Sequence, residues 1–419
     1  MKRKLVYDES EEPCPENESQ DALSEEKEID YEPVHFLRCH SRKNDPADVR
    51  TQVWHCAFEP DAVDPKKTTN FIATCGGNSV CLINVRTGEV TGKFNSKDQK
   101  EMFYSVAWTT LLVESGDPPQ INVLAAAGAR NTLHLIHPEG GVAFHEHQFL
   151  RSKRVNVSSL MFHPKQGNIL FCAMGDGQVL TWNVGSPAPP NYETQLNLLL
   201  TLEARSEIFS LVFSSHLDIL LAASNTGVCG WVVTQDMLRK KPNNVAMLKF
   251  NFPKRRGNTT RTSEPQLVDS IEMVGQSTVA TKCALHGVIY LWNLTSAIQG
   301  DAVTTVQPTH VLQWSDTDNY FMNMGCHPVA GLLACGDDMG ALWLYDLSNI
   351  LQQPAQDKRV APSTILDWPD VEDSHVDRNR KLRLGVYDIV VDKVAVSSNG
   401  RYLVAVTSNN MVCIWKRTK

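Results

Sequence analysis

The sequence predicts an all-β chain: a ring of small antiparallel sheets, a seven-bladed β-propeller with an acidic head. Three observations predict it. One unit recurs seven times, in the strings FIATCGGNSVCLINV, VLAAAGARNTLHLIH, LFCAMGDGQVLTWNV, LLAASNTGVCGWVV, VATKCALHGVIYLWNL, LLACGDDMGALWLYDL and LVAVTSNNMVCIWKR. Within a unit, side chains alternate every second residue, as Val179, Thr181 and Asn183 do against Leu180 and Trp182, which is the period of a half-buried strand. Between its two apolar runs stand Gly-Asn, Asp-Gly, Asn-Thr-Gly, Asp-Met-Gly or Asn-Asn, residues that accept the positive φ of tight hairpins.

Taken in order, the units end on large residues: Ile83, Ile136, Trp182, Trp231, Trp292, Tyr345 and Trp415. Their spacings of 53, 46, 49, 61, 53 and 70 residues exceed the minimum for four strands. The excess falls in the loops 185–197, 239–265 and 351–383. No long amphipathic helix is evident. A ring must also close. The run YEPVHFLRCH, residues 31–40, is strand-like and precedes the first unit, so it is expected to supply the outer strand of the last blade and cover an open edge. The expected organisation is thus an acidic, disordered tail over 1–30 and a propeller over 31–419.

Composition narrows the function classes. A chain of 419 residues, 42% hydrophobic, buries a large core without a disulfide scaffold. No run reaches the roughly 18 to 20 apolar residues of a spanning helix. The N-terminus has no apolar stretch of the kind a signal peptide needs. The 11 cysteines are scattered, with no C-x-x-C pair, which suits a reducing compartment better than a disulfide framework or a zinc site. Residues 1–32 hold twelve acids against four bases, and the overall charge of −7 leaves the body close to neutral. A strongly basic nucleic-acid protein is not indicated. Local basic clusters at Arg151, Lys153 and Arg154, at Lys254, Arg255, Arg256 and Arg261, and at Arg378, Arg380, Lys381 and Arg383 read either as solvated loops or as contacts for phosphates or an acidic partner. They leave direct DNA binding open.

Seven such units resemble WD40 repeats, four strands per blade around a channel. The likeness is degenerate: Gly-His and Trp-Asp dipeptides are absent, and the nearest endings are Trp182-Asn183, Trp292-Asn293 and Tyr345-Asp346. The blades are therefore expected to rely on apolar packing. Longer phrases, YEPVHFLRCHS, WHCAFEP, ATCGGNSVCLINVRTG, FYSVAWTTLLV, VLAAAG and LWLYDLSNILQQP, resemble the propeller half of the leucine-rich-repeat and WD-repeat, origin recognition complex-associated family. A fainter resemblance, through FYSVAWT, MFHP and NYFMNMG, is to the histone-reading propeller of the Polycomb embryonic ectoderm development family. Residues 1–30 contain no L-x-x-L-x-L series, so no activity of the leucine-rich repeats is carried over.

The first resemblance implies a non-enzymatic chromatin adaptor without a cofactor. Such proteins bind origin recognition complex subunits and licensing factors, hold them on chromatin in G1 and associate with methylated histone tails. They reside in the nucleus at centromeric and telomeric heterochromatin, not at a membrane. The second implies a reader subunit of a silencing complex.

A trimethylammonium group offers no hydrogen bond and is held by aromatic faces within roughly 6 Å. Matching the Polycomb pattern, the cage would be Phe103, Tyr320 and Phe321 at the channel mouth, with Phe149 as a fourth wall; the alternative is that these aromatics pack between blades. Acidic residues 8–32 and the basic loop 249–261, with Lys254, Arg255, Arg256 and Arg261, are candidate partner contacts. Weaker motifs point elsewhere. His145-Glu146-His147 lacks a third metal ligand, so no metal site is expected. Met174-Gly-Asp176-Gly177 reads as a hairpin, since no G-K-[ST] follows. No G-x-S-x-G, H-E-x-x-H or paired-carboxylate signature occurs, and no enzyme is expected. Ile83-Asn84-Val85-Arg86 is a degraded form of the Trp-Asp-x-Arg element that docks substrate receptors on cullin ubiquitin ligases, or simply a turn. Trp108 is expected in inter-blade core; Trp314 has no assigned role.

Overall fold

The structure, a computed structural model, describes residues 29–418 except 43, 44, 46, 113–119, 150–154, 188–191, 254–265, 301, 318, 355–357 and 370–388. Seven sheets form the blades of a propeller. Blade one comprises Val53–Pro60, Thr68–Gly76, Ser79–Asn84 and Glu89–Asn95, paired in that order from the inside outward. Blade two spans strands from Phe103–Leu112 to Val142–Gln148, and blade three from Val157–His163 to Asn197–Glu203. Blades four, five and six start at Ile208–Ser214, Val268–Met273 and Gly325–His327. In blade seven, Val391–Val396, Tyr402–Thr407 and Val412–Arg417 are completed by Tyr31–Leu37, which runs antiparallel to Val412–Arg417 with Tyr31 opposite Arg417 and Leu37 opposite Val412. The innermost strand of each blade contacts that of the next all the way around the ring.

The recurring pattern explains the packing. Second-strand small residues such as Ala73, Ala126, Ala173, Ala222, Ala280, Ala334 and Ala405 are fully buried, so neighbouring sheets approach closely. Large third-strand residues fill the space outward: Trp231, Trp292, Tyr345 and Trp415 are fully buried, whereas Trp182 is half-buried. A Cβ at Gly128 would sit 1.9 Å from the Met102 carbonyl oxygen, so only glycine permits that close crossing. The turn residues adopt the positive φ their chemistry suggests, at Gly77, Gly177, Gly227, Gly340 and Asn410.

The degenerate Trp-Asp endings have a local use instead. Asn293 and Asp346 accept backbone N–H bonds as N-caps of the short helices Leu294–Ala297 and Leu347–Ile350. The long inter-blade segments also add to the sheets. Val303–Thr305 pairs parallel to Leu248–Asn251 on blade four, and Arg359–Val360 parallel to His310–Gln313 on blade five.

One sequence expectation changes. Ile29, assigned to the acidic head, is buried in the core shared by blades six and seven, and its carbonyl accepts from Thr364 Oγ1 at 2.9 Å. The buried run therefore begins before Tyr31. Residues 1–28 of the head, the basic residues Lys254, Arg255, Arg256 and Arg261, and the clusters at 151–154 and 378–383 lie outside the described residues.

Candidate functional site: the channel and its mouth

Six of the seven innermost strands begin with an apolar residue that packs between blades, and the blade-six strand begins with Gly325. In six of the seven blades the register then slips, between Val53 and His55, Phe103 and Ser105, Val157 and Ser159, Ile208 and Ser210, Val268 and Ser270, and Val391 and Lys393. The residues passed over are Trp54, Tyr104, Ser158, Phe209, Asp269 and Asp392. A bulge frees its extra residue from the ladder and re-aims it. All six stand at the N-terminal ends of parallel-running inner strands, so they ring one mouth of the channel.

That ring gathers aromatics. Trp54 and Tyr104, both half-buried, meet edge to face with centroids 5.3 Å apart. Phe209 meets Phe321 in the same way at 5.1 Å, and Phe321 meets Tyr320 at 4.6 Å. Phe321 is held at φ 70°, a left-handed conformation rare for an aromatic, and its N–H donates to Asp269 Oδ2 at 2.9 Å. Tyr320 is 46% exposed.

The four sequence-derived cage residues are not brought together. Phe103 is fully buried between blades one and two, against Phe94 and His134. Phe149 is 4% exposed and packs on His147 and Trp182. Both are core residues, which corrects their assignment to the mouth. Only Tyr320 and Phe321 reach the rim. The strand's alternation supplies the reason: in Phe103-Tyr104 the first residue turns into the blade interface and the second toward the mouth. The parallel between Val53-Trp54 and Phe103-Tyr104 was the signal available in the sequence.

Below the rim, a cavity of about 360 Å³ is lined by His55, Trp108, Glu272, Cys326, His327 and Lys393, among others. Lys393 pairs with Glu272 at 2.9 Å and donates to the Met324 carbonyl at 2.5 Å. Burial, with Lys393 adding to it, pushes His55 down to about 3, so that imidazole is neutral near pH 7. Asp392 accepts from Gln52 Nε2 at 2.7 Å, and burial raises its carboxyl well above the usual range. Asp269 is raised by burial against the opposing pull of Lys282, with which it pairs at 2.5 Å.

The weaker motifs resolve simply. His145 and His147 stack at 6.5 Å on one strand face, and His147 is engaged by Trp182. Asp176-Gly177 is a hairpin turn. Asn84 Oδ1, at the end of the strand Ser79–Asn84, accepts the Arg86 N–H at 3.0 Å and opens the turn over 85–88. Trp108 donates to the Ala57 carbonyl at 2.9 Å, linking blades one and two. Trp314 is buried, with Lys282 Nζ 4.5 Å from its ring centroid.

Comparison with known proteins places this geometry. The WD-domain model of leucine-rich repeat and WD repeat-containing protein 1 matches residues 21–418. The chain belongs to that family. Relatives of that name are 36% identical in Homo sapiens and 34% in Mus musculus, each over 93% of this chain, and 32% in Danio rerio over 93%. The chain spans 58% of the length of the human and mouse relatives and 50% of the fish one. Among solved structures, a chain from a humanized mutant of the Chaetomium thermophilum Polycomb Repressive Complex 2 superimposes with a TM-score of 0.67. That match covers 93% of this chain and 98% of the other at 11% identity, which is a likeness of fold. In this WD domain the propeller offers binding surfaces, and family and fold point to a non-catalytic scaffold.

Proposed function

We propose that the chain is a non-enzymatic chromatin adaptor that binds origin recognition complex subunits and holds them on nuclear chromatin. Its preferred location is heterochromatin, centromeric and telomeric, bearing repressive histone lysine methylation, and its role is in replication licensing. The observation that carries this reading is family membership across nearly the whole chain. The aromatic rim supports the histone part. Trp54, Tyr104, Phe209, Phe321 and Tyr320 present π faces at one mouth. Such faces attract a methylated ammonium group, which cannot satisfy hydrogen-bond acceptors.

The test is a titration of the purified chain with histone peptides, unmodified and trimethylated at repressive lysines, alongside affinity purification from nuclear extract. Each aromatic face contributes on the order of 0.5 to 2 kcal/mol. Trp54→Ala, Tyr104→Ala and Phe321→Ala should therefore each weaken methylated-peptide binding by roughly two- to thirtyfold. Phe149→Leu, a change in the core, should leave the preference for methylated peptide intact. Equal binding of all peptides would remove the reader role. Recovery of methyltransferase subunits or a cullin adaptor in place of origin recognition subunits would move the protein to a silencing complex or a ubiquitin ligase.

A further inference from the structure

Immediately after the closing strand Tyr31–Leu37, the chain lays Cys39 and His40 against the third strand of blade one. There the ligand atoms of Cys39, His40 and Cys81 all lie within 4.8 Å of one another. His40 Nδ1 is 3.9 Å from Cys81 Sγ. A tetrahedral zinc site, with Zn–S of about 2.3 Å and Zn–N of about 2.0–2.1 Å, places neighbouring ligand atoms roughly 3.5–3.8 Å apart. The three side chains are thus near coordination spacing already.

The surroundings are those of a built site. His40 is 2% exposed, and its Nε2 lies 2.8 Å from the Thr74 hydroxyl. A hydroxyl can accept from an imidazole N–H, so Thr74 can hold the tautomer in which Nε2 carries the proton and Nδ1 offers its lone pair to a metal. Nδ1 lies 2.8 Å from Ser79 Oγ, and the Gly76 carbonyl, 3.2 Å from the same oxygen, can take the hydroxyl proton instead when Nδ1 turns to a metal. Cys81 is fully buried, and Cys39 is partly exposed.

We propose that Cys39, His40 and Cys81 form a site for a thiophilic divalent cation, zinc foremost, that latches the closing segment onto blade one. Two thiolates and an imidazole leave a fourth tetrahedral position for water. The cation would join residues on either side of the point where the ring closes, so binding would stabilise the closed ring.

The experiment titrates the reduced full chain with Co²⁺ and then Zn²⁺. A thiolate-to-cobalt charge-transfer band saturating at one equivalent, displaced by Zn²⁺, is expected. The melting temperature should rise with Zn²⁺ and return with chelator. Cys39→Ser and Cys81→Ser should each lose the band and weaken binding at least a hundredfold, whereas Cys172→Ser, in the core of blade three, should retain both. In the unmodified chain, Zn²⁺ should also shield Cys39 from alkylation, a readout that needs no variant to fold. Absence of the one-equivalent band, its survival in Cys39→Ser, or unaltered alkylation of Cys39 would overturn the site. A Cys39–Cys81 disulfide formed in air by a chain that takes up no metal would overturn it in favour of a redox pair.

Discussion

The seam between blades seven and one and the seam between blades five and six solve the same packing problem differently. At the first, apolar strands meet: Val53, Cys56, Ile72 and Ile83 pack against Tyr402, Val404, Val406 and Ile414. Polar contacts there include the reciprocal pair in which Thr68 N–H donates to Ser398 Oγ at 2.9 Å and Ser398 N–H donates to Thr68 Oγ1 at 3.0 Å. At the second, the inner strand of blade six is only three residues long, Gly325–His327. Polar side chains of blade five stand behind it. Asp269 and Lys282 pair with no solvent exposure, Lys282 lies over Trp314, and Ser270 Oγ accepts the Met324 N–H at 2.9 Å. The difference teaches that the first seam is held by apolar burial, whereas at the second a charged pair inside blade five fixes the Asp269 carboxylate that accepts the Phe321 N–H at 2.9 Å.

The largest effect should come from removing the strand that closes the first seam. Deleting 31–40 exposes the edge of Val412–Arg417 and empties the Tyr31 site, whose hydroxyl donates to the Gly400 carbonyl at 2.5 Å. The expected loss is comparable to a domain's whole stability, about 5–15 kcal/mol, read as insolubility or a collapsed melting temperature. An unchanged melting temperature would show that the ring closes without this strand.

Next, Lys282→Met leaves Asp269 buried and unpaired, at an expected cost of about 3–5 kcal/mol by denaturant titration. The double variant Lys282→Met/Asp269→Leu should recover much of that loss. If the single variant is neutral, the charged pair does not hold the second seam.

His55 gives the first seam a pH signature. Its folded pKa of about 3 lies below the unfolded value of 6.5, so the unfolded chain takes up the proton first. Its contribution is full above about pH 6.5 and is lost as pH falls toward 3, with a slope of at most about 1.4 kcal/mol per pH unit. His134, His163 and His327 are also lowered by burial, so His55→Gln should flatten the acid limb of a stability–pH curve without abolishing it. An unaltered slope would place the proton uptake elsewhere. The smallest effect is expected from Thr68→Val, which removes one side of the reciprocal pair and should cost about 1 kcal/mol in equilibrium unfolding. A loss as large as that of Lys282→Met would make the first seam as polar in character as the second.

Much of the architecture was legible because its signals are local. Small residues before a turn and a large residue after it, repeated seven times, specify hairpins and an apolar face whatever their neighbours do. The helix caps at Asn293 and Asp346 were visible only as imperfect Trp-Asp endings, since capping depends on where the chain goes next. The mouth was half legible. Tyr320 and Phe321 were placed there by resemblance, but the choice between Phe103 and Tyr104 turned on a bulge, and one residue of register exchanges core for surface.

By itself, then, the sequence determined the number of blades, the turn positions and the family, because each is written in short-range pattern. Only the tertiary structure decided which aromatics share the rim and how Lys282 is neutralised. It also decided that Cys39 and His40 meet Cys81, some forty positions away. These depend on strand register and on the closing of the ring, which bring together side chains whose separation in sequence carries no trace of their contact.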